Sequence, residues 1–425
     1  MLKMYAELTH RSRYSLFESL RVEALLLVVL AVMVPALLFD RGVLPIRSPG
    51  VDYAVVAAGF GVVFGLILLR RVSAFPGTTI FGYILPSFAS SYGIALAALF
   101  LTRENYSRAY LAASFVIAVA VAFALRFHLA KTTVQRFYYV PAGQMSVVDQ
   151  TPEVEWIPLL TPEVPTVRRA VIVADLRHDH EDAWERMLAE AVIRGHVVYH
   201  AKQITESLTG RVAIEHLSEN SFGSLMPNLA YVKVKRVLDV IGTLAMLPLL
   251  LPLLAVIAIA IRLDSRGSVL FTQQRMGFRG EPFTVIKFRT MRPRDPGADR
   301  DDCVTQDDDD RITRLGRFLR RSRLDELPQA FNVLRGEMSW IGPRPEAIPL
   351  SHWYEAEIPH YRYRHIVRPG ISGWAQVNQG HVADLKSVNL KLHYDFFYIK
   401  NFSAWLDLLI LFRTVGTVIS GFGAK

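Results

Sequence analysis

The stretch "KRVLDVIGTLAMLPLLLPLLAVIAIAIRLDS", residues 235–265, has a long apolar centre between two basic ends. It is long enough to cross a bilayer core of roughly 30 Å, so a fifth spanning helix is one interpretation. An odd number of spans would place everything after residue 265 outside the cell. The alternative is a helix that enters and leaves the membrane on the same side.

Two features of this stretch favour entry and exit on the same side. Basic flanks favour the cytoplasmic face, and they stand at both ends. They are Lys233, Lys235, Arg236, Arg262 and Arg266. Pro248 and Pro252 each remove a backbone donor and clash with the preceding turn, which predicts a helix break. We therefore predict a re-entrant helix over about residues 235–262.

The N-terminal part predicts four transmembrane helices. Its four apolar stretches lie near residues 23–39, 53–69, 80–101 and 109–125. The distribution of arginine and lysine favours a cytoplasmic N-terminus, and the basic leader does not resemble a cleavable signal. Gly61 and Gly65 have the GxxxG spacing of helix packing.

The composition favours anionic partners. The chain has 425 residues, 51% of them hydrophobic, with a mean hydropathy of +0.25, a net charge of +9 and a pI near 9.6. Lipid headgroups, phosphorylated substrates and nucleic acid all fit this charge, but no aromatic and basic motif supports nucleic acid. The single cysteine, Cys303, excludes an internal disulfide and a zinc cluster of thiolates.

Residues 130–230 predict a small cytosolic α/β domain. "RRAVIVAD" (168–175) and "HVVYH" (196–200) have the composition of strands, and the residues between them have a helical pattern. No GxGxxG follows the first strand, so dinucleotide binding is poorly supported. The acidic and histidine residues at 178–181 are interpreted as a solvated helix start rather than as metal ligands.

These patterns predict an integral membrane α+β protein in three parts. Residues 1–129 form four transmembrane helices, residues 130–230 the small α/β domain, and residues 231–425 a mixed α/β catalytic domain with the re-entrant helix. Residues 404–422 are too interrupted to span with confidence, and we expect them to lie along the interface or to pack on the domain.

Adjacent carboxylates stand in "RSRLDELPQ" (321–329), after a basic run. Ser322 precedes Asp325 by three residues, a capping-box spacing that predicts a helix start there. Neighbouring residues on a helix point about 100° apart, so Asp325 and Glu326 are unlikely to share a proton. Two separate roles fit better, one as a nucleophile toward phosphorus and one as a ligand of a divalent cation.

Three segments together identify a known family. They are "FTQQRMGFRGEPFTVIKFRTM" (271–291), "DELPQAFNVLRGEMSWIGPRPE" (325–346) and "YRHIVRPGISGWAQVNQG" (363–380). In this order they resemble the bacterial sugar transferases, the monotopic polyprenyl-phosphate phosphoglycosyl transferases. The four N-terminal helices and the small domain look like the long members that begin O-antigen, capsule or exopolysaccharide synthesis.

The resemblance implies a role for each matching residue. Asp325 is the expected nucleophile and Glu326 the partner of a magnesium ion. The expected substrate and phosphate contacts are Lys287, Arg320, Arg344, Arg368 and Asp395, the last in "HYDFFYIKN" (393–401). The family's re-entrant helix usually breaks at a Ser-Pro pair. Here Pro252 takes the proline place, Leu251 replaces the serine, and Pro248 is additional.

The implied reaction is transfer of a hexose 1-phosphate from a UDP-sugar to undecaprenyl phosphate, with release of UMP through an aspartyl-phosphosugar intermediate. Glucose and galactose are the expected sugars. Transfer of an N-acetylated or modified sugar phosphate and a non-catalytic scaffold of polysaccharide assembly are the alternatives. The expected location is the bacterial inner membrane, with the catalytic domain on its cytoplasmic side. The role of the N-terminal helices and of residues 130–230 stays open. Formation of a homodimer, stability and regulation are the alternatives.

Three further features have more than one interpretation. The acidic segment "DDCVTQDDDD" (301–310) fits a solvated loop better than a metal site. Trp340 and Trp374 fit stacking on uridine, a place at the lipid interface, or core packing.

Overall fold

A computed structural model of the chain describes residues 19–40, 51–75, 80–132, 136–151, 154–167, 170–214, 226–292, 311–379 and 384–420. The acidic segment 301–310 and Cys303 lie outside these residues. The chain divides into two compact units, Met1–Gly210 and Arg211–Lys425. The three-part division predicted from composition stays a prediction.

Long apolar helices form the first part of unit 1. They are α1 (Leu20–Val28), a π-helical turn (Val29–Met33), α2 (Val34–Asp40), α3 (Val51–Val72), α4 (Ile80–Thr102) and α5 (Arg108–Thr132). Five helical segments among the described residues are long and apolar enough to cross a membrane. Four of them lie in this part of unit 1. Several long apolar helices at the N-terminus are therefore confirmed.

A buried ionic cluster ties these helices together. Glu23 of α1 is fully buried, and its carboxylate accepts hydrogen bonds from Nε and Nη2 of Arg70 in α3, at 2.8 and 2.6 Å. Its other oxygen lies 2.6 Å from Nη2 of Arg126 in α5. A charge among apolar helices is expensive unless it is paired, so this cluster fixes three helices at one level.

The second part of unit 1 is a small α/β fold, as predicted. Its elements are β1 (Arg136–Tyr139), α6 (Val147–Gln150), β2 (Glu155–Pro158), β3 (Val171–Ala174), α7 (Asp182–Ile193), β4 (Val197–His200) and α8 (Ala201–Thr209). The four strands are parallel in the order β2-β1-β3-β4. Glu181, at the N-cap position of α7, is exposed, like His178 and Asp179, which agrees with a solvated helix start. The prediction is wrong for His180, which is buried with its Nε2 2.9 Å from the carbonyl oxygen of Asp175.

Unit 2 is a mixed α/β fold that begins with a long helix. Its helices are α9 (Leu229–Asp264), α10 (Arg314–Arg321), α11 (Ala330–Arg335), α12 (Ile348–Glu357), α13 (Trp374–Gln379), α14 (Leu385–Lys400) and α15 (Ala404–Ser420). Its strands are β5 (Leu270–Met276), β6 (Pro282–Phe288), β7 (Ser339–Ile341) and β8 (Gly370–Ser372). Three further segments among the described residues, Phe278–Gly280, Leu324–Gln329 and Tyr361–Ile366, are 3₁₀-helices. β5 and β6 form an antiparallel hairpin, and β7 pairs with β8 in parallel.

One stripe of α9 is buried along nearly its whole length. The buried side chains are Lys235, Asp239, Thr243, Leu250, Leu254, Ile257 and Ile261. At 100° per residue, these side chains lie within about 100° of one another around the helix axis. One face of the helix therefore contacts the rest of unit 2 from end to end. Most of the other side chains are apolar and exposed, including Leu249, Val256 and Leu263.

Both halves of α9 are anchored on unit 2. In the first half, Lys235 donates to Oδ2 of Asp407 in α15 at 2.6 Å, and Thr243 accepts from the indole of Trp340 at 2.8 Å. In the second half, the buried leucines and isoleucines pack against Phe288, Leu319 and Ala330. The helix runs unbroken through Pro248 and Pro252, so the predicted break at these prolines is not confirmed.

The C-terminal helix α15 packs on unit 2, one of the two places expected for it. Leu406, Leu409 and Ile410 are fully buried, whereas Leu411 and Val415 are exposed.

The GxxxG pair of α3 predicts a stability difference. A Cβ atom on Gly65 would lie 2.6 Å from the ring of Phe88, and one on Gly61 2.7 Å from the ring of Tyr92, whereas Gly59 has nothing within 4 Å. Gly65→Val should therefore cost about 1–3 kcal/mol through overpacking. Thermal unfolding in detergent measures this, with Gly59→Val as the matched control. Equal shifts in both variants would contradict the close helix contact.

Candidate active site

The two adjacent carboxylates lie in a 3₁₀-helix, Leu324–Gln329, and not at the start of an α-helix. Ser322 ends α10, where its Oγ donates to the carbonyl oxygen of Phe318 at 2.8 Å. The capping-box prediction is therefore wrong. The chain turns instead at Arg323, whose φ of 57° is left-handed. A non-glycine residue in this conformation carries strain and redirects the backbone, and the side chains of Asp325 and Glu326 then lie buried in the domain.

Strand β6 supplies one wall of this site. Asn332 of α11 is fully buried; its Oδ1 accepts from the backbone N–H of Ile286 at 3.2 Å, and its Nδ2 donates to the carbonyl oxygen of Thr284 at 2.7 Å. These bonds hold β6 beside the 3₁₀-helix. Lys287, next on the strand, then reaches Oε1 of Glu326 at 3.1 Å.

Glu326 is surrounded by cations. Its Oε1 accepts from Nη2 of Arg344 at 2.8 Å and from Lys287, and Nη1 of Arg323 lies 3.9 Å away. Burial favours the neutral acid, but Arg344 and Lys287 outweigh it and hold the pKa of Glu326 well below its usual range. Glu326 is therefore ionised throughout the physiological range.

Asp325 has a contrasting environment. It is buried, and its Oδ1 accepts no hydrogen bond from any residue that the structure describes. Burial and the charge of Glu326 raise the pKa of Asp325 to about 6, against the opposing effect of Lys287, Arg344 and Arg320. A desolvated carboxylate without a hydrogen-bonding partner at this oxygen is ionised at neutral pH but poorly stabilised, which suits a nucleophile.

Lys287 and Arg320 complete the positively charged surroundings of the two acids. Burial lowers the pKa of Lys287 to about 8, although Glu326 acts in the opposite direction. Arg320 donates from Nε to Oγ1 of Thr290 at 2.9 Å, which orients it beside Asp325. Lys287, Arg320 and Arg344 are thus brought together with the two acids, in an arrangement that can hold phosphate oxygens.

The other two predicted contacts lie elsewhere. Arg368 donates from Nε to the carbonyl oxygen of Gly336 at 2.9 Å and lies over the ring of Phe278. It lines a small cleft with Arg236 and Asp239. Gly336 follows the C-terminal end of α11, whereas the acids precede that helix, so Arg368 is not grouped with them.

Asp395 is buried behind the site, in α14. Its Oδ2 accepts from Nε and Nη2 of Arg364 at 3.1 and 2.8 Å. Nη2 of Arg364 also donates to the carbonyl oxygen of Arg344 at 2.8 Å. Asp395 therefore acts on Arg344 through Arg364, and its carboxylate is occupied by that ion pair.

The sequence prediction missed this supporting layer. It also includes Arg275, which donates to the carbonyl oxygen of Pro345 at 2.6 Å, and the ion pair of Glu346 with Lys391. Together with Arg364, these contacts fix residues 344–346. Arg275, Glu346 and Arg364 all stand within the three motifs, which was the available signal, whereas Lys391 stands 45 positions after Glu346 and outside them.

The two tryptophans contribute to packing. Trp374 is almost fully buried and stacks on Phe397, with ring centroids 5.6 Å apart. The indole of Trp340 is bonded to Thr243, as described above. Core packing is therefore the interpretation that the structure supports.

The residues present fit a hard divalent cation. Among the described residues, the three ion pairs of Glu326 are made by Oε1, so Oε2 lies outside them. Mg²⁺ commonly binds through one or two carboxylates completed by substrate phosphates, and Oε2 of Glu326 fits that role. No group of three His, Cys, Asp or Glu side chains able to hold a metal occurs within the described ranges.

Comparison with known proteins identifies the family. The model of the family described as "Bacterial sugar transferase" matches residues 230–421. A UDP-N-acetylgalactosamine-undecaprenyl-phosphate N-acetylgalactosaminephosphotransferase of Aeromonas hydrophila is 43% identical over 362 residues, 84% of this chain and 85% of its own length. The chain belongs to the bacterial sugar transferase family.

Other members of the family match a smaller part of the chain. A UDP-glucose:undecaprenyl-phosphate glucose-1-phosphate transferase of Caulobacter vibrioides is 43% identical over 200 residues, 47% of this chain and 74% of the relative. One of the same description from Escherichia coli is 43% identical over 186 residues, 43% of this chain and 39% of the relative. The resemblance inferred from the three motifs is thereby confirmed.

The buried ion pair of Asp395 with Arg364 in this sugar transferase predicts that loss of one charge lowers the free energy of unfolding. Asp395→Asn leaves the guanidinium of Arg364 buried without its counter-charge, which should cost about 3–5 kcal/mol. Thermal unfolding in detergent measures the loss. Asp384→Asn is the matched control, because Asp384 is an exposed helix cap in the same helix and asparagine caps equally well. Similar stability of the two variants would contradict the supporting role of Asp395.

Proposed function

We propose that this sugar transferase moves a sugar 1-phosphate from a UDP-sugar to undecaprenyl phosphate and releases UMP. The observation that carries the proposal is the contrast between the two acids. Asp325 is buried with an orphaned oxygen and a raised pKa, while Glu326 beside it is held ionised by Arg344 and Lys287. This contrast supports one nucleophile and one electrostatic partner.

The reaction proceeds in two displacements at one phosphorus atom. An oxygen of Asp325 attacks the β-phosphorus of the UDP-sugar, the new O–P bond forms, and the bond from phosphorus to the bridging oxygen breaks, so that UMP leaves. A phosphate oxygen of undecaprenyl phosphate then attacks the same phosphorus and releases the carboxylate of Asp325. The product is undecaprenyl diphosphate sugar.

The cations around Asp325 provide charge stabilisation. Lys287, Arg320 and Arg344 hold phosphate oxygens of the diphosphate, where fixed donors act most strongly on the charge that develops in the transition state. Glu326 would hold a magnesium ion, which neutralises phosphate charge when bound. Arg368 stays a candidate phosphate contact outside this group, and Asp395 positions Arg344 through Arg364.

The buried stripe of α9 supports a proposal for its arrangement in the membrane. Contacts with unit 2 at Lys235 and again at Ile261 are hard to reconcile with a crossing that separates the two ends by a bilayer. We infer that the apolar outer face of α9 enters one leaflet while both ends stay on the cytoplasmic side. Four N-terminal spans in the bacterial inner membrane complete the topology, and a break at the prolines is not needed for it.

The sugar is the least constrained part of the proposal. The motifs led us to expect glucose or galactose, whereas the Aeromonas relative, which matches both units, is named for N-acetylgalactosamine. We therefore rank UDP-N-acetylgalactosamine first, before UDP-glucose and UDP-galactose. The product would begin an O-antigen, capsule or exopolysaccharide.

A rapid-quench assay tests the covalent route. With UDP-sugar and no lipid acceptor, the parent should release a burst of up to one equivalent of UMP, and Asp325→Asn none. The variant should still fold, because burial penalises the charge that it removes. Assaying the three UDP-sugars in parallel identifies the donor. UMP release only in the presence of undecaprenyl phosphate, or a normal rate in Asp325→Asn, would contradict the mechanism.

The pH dependence of kcat/KM tests the roles of Asp325 and Lys287. The nucleophile must be ionised, so the rate should fall tenfold per pH unit below about 6. The phosphate contact must be protonated, so the rate should fall again above about 8. Lys287→Arg is the control, because arginine stays charged, and its residual activity should keep the acidic limb and lose the alkaline one. A flat profile between pH 5 and 9 would refute these assignments.

A further inference from the structure

Helix α10 presents a basic face that the proposed reaction does not use. Its exposed residues are Arg314, Arg317, Phe318 and Arg321. The spacing i, i+3, i+4 and i+7 places them on one side of the helix. Phe318 is 60% exposed, which is unusual for a large aromatic side chain in the middle of a charged surface. We call these four residues the arginine face.

The opposite side of α10 packs on the membrane helix. Leu319 is buried with Leu250, Leu254, Ile257 and Ile261 of α9, and Leu315 adds to the same cluster. The outer side of that half of α9 is apolar and exposed, with Val256, Ile259 and Leu263. The arginine face therefore adjoins the surface that enters the apolar layer of the membrane.

Apolar surface also continues past the end of α9. Leu270 and Phe271, the first residues of β5, are exposed, and Arg266 just before them is exposed too. Exposed apolar side chains alternating with arginines are typical of protein surface at headgroup depth, where the ring or aliphatic chain enters the lipid and the charge meets phosphate.

We propose that the arginine face docks on the headgroups of anionic phospholipids. Charge complementarity and continuity with the apolar face of α9 support this occupant. Arg314 and Arg321 are seven residues apart, about 10 Å along the helix, so the face is wider than one phosphate group. The site for substrate phosphate is formed by other residues, Lys287, Arg320 and Arg344. The arginine face therefore holds α10, and with it the segment that begins at Asp325, against an anionic bilayer.

A depth measurement tests the proposal without using activity. A nitroxide is attached at Phe318→Cys in full-length protein that carries Cys303→Ser, in nanodiscs of neutral phosphatidylcholine or of phosphatidylglycerol-rich lipid. Collision of the label with oxygen, relative to a water-soluble nickel chelate, should increase in the anionic discs. High salt should reverse the increase.

Variants and controls identify the source of the charge. Arg314→Gln, Arg317→Gln and Arg321→Gln together should abolish the increase, and each single substitution should weaken docking about fivefold. A label at Glu357→Cys, at the exposed end of α12, should not respond to lipid charge. An increase in neutral discs only after undecaprenyl phosphate is added would assign the face to the substrate lipid and overturn the proposal. A label at 318 that stays equally accessible to the chelate in every disc would also overturn it.

Discussion

The arrangement of this sugar transferase depends on one contact surface, the buried stripe of α9. Leu319 and Ala330 both pack against the second half of this stripe, and Asp325 lies between them in sequence. The segment that carries Asp325 therefore packs at both ends against the helix whose other face is apolar. In the proposed reaction, a soluble nucleotide sugar and a lipid-linked phosphate meet at the membrane surface, and this contact would hold the carboxylate of Asp325 at that height.

Local electrostatics then gives two neighbouring acids opposite properties. Oε1 of Glu326 meets three cations, whereas Oδ1 of Asp325 accepts no hydrogen bond from the described chain. The left-handed residue Arg323 and the 3₁₀ geometry produce this difference, because they direct both side chains into the domain and toward different walls. The fold therefore maintains a poorly stabilised carboxylate by surrounding it with a rigid, well-paired charge network.

Much of the fold and of the candidate site could be predicted from the sequence, whereas contacts between distant residues could not. The length of the apolar stretches located the membrane helices, and three ordered motifs located the acids with Lys287 and Arg344. The ion pair of Arg364 with Asp395 joins residues 31 positions apart, and no local pattern encodes such pairing. The cap predicted at Ser322 failed because the next residue adopts a left-handed conformation. Proline predicted a break in α9, yet contacts along the whole helix outweigh the loss of two backbone donors.

The most direct test concerns the two ends of α9. Lys233 and Arg266 are both exposed, and each can be replaced by cysteine in protein that carries Cys303→Ser. Labelling with a membrane-impermeant maleimide is then compared in intact cells and in inverted membrane vesicles. Both positions should react only in the inverted vesicles, where the cytoplasmic face is open. Reaction of position 266 in intact cells, with position 233 protected, would mean that α9 crosses the bilayer and that Asp325 lies on the wrong side.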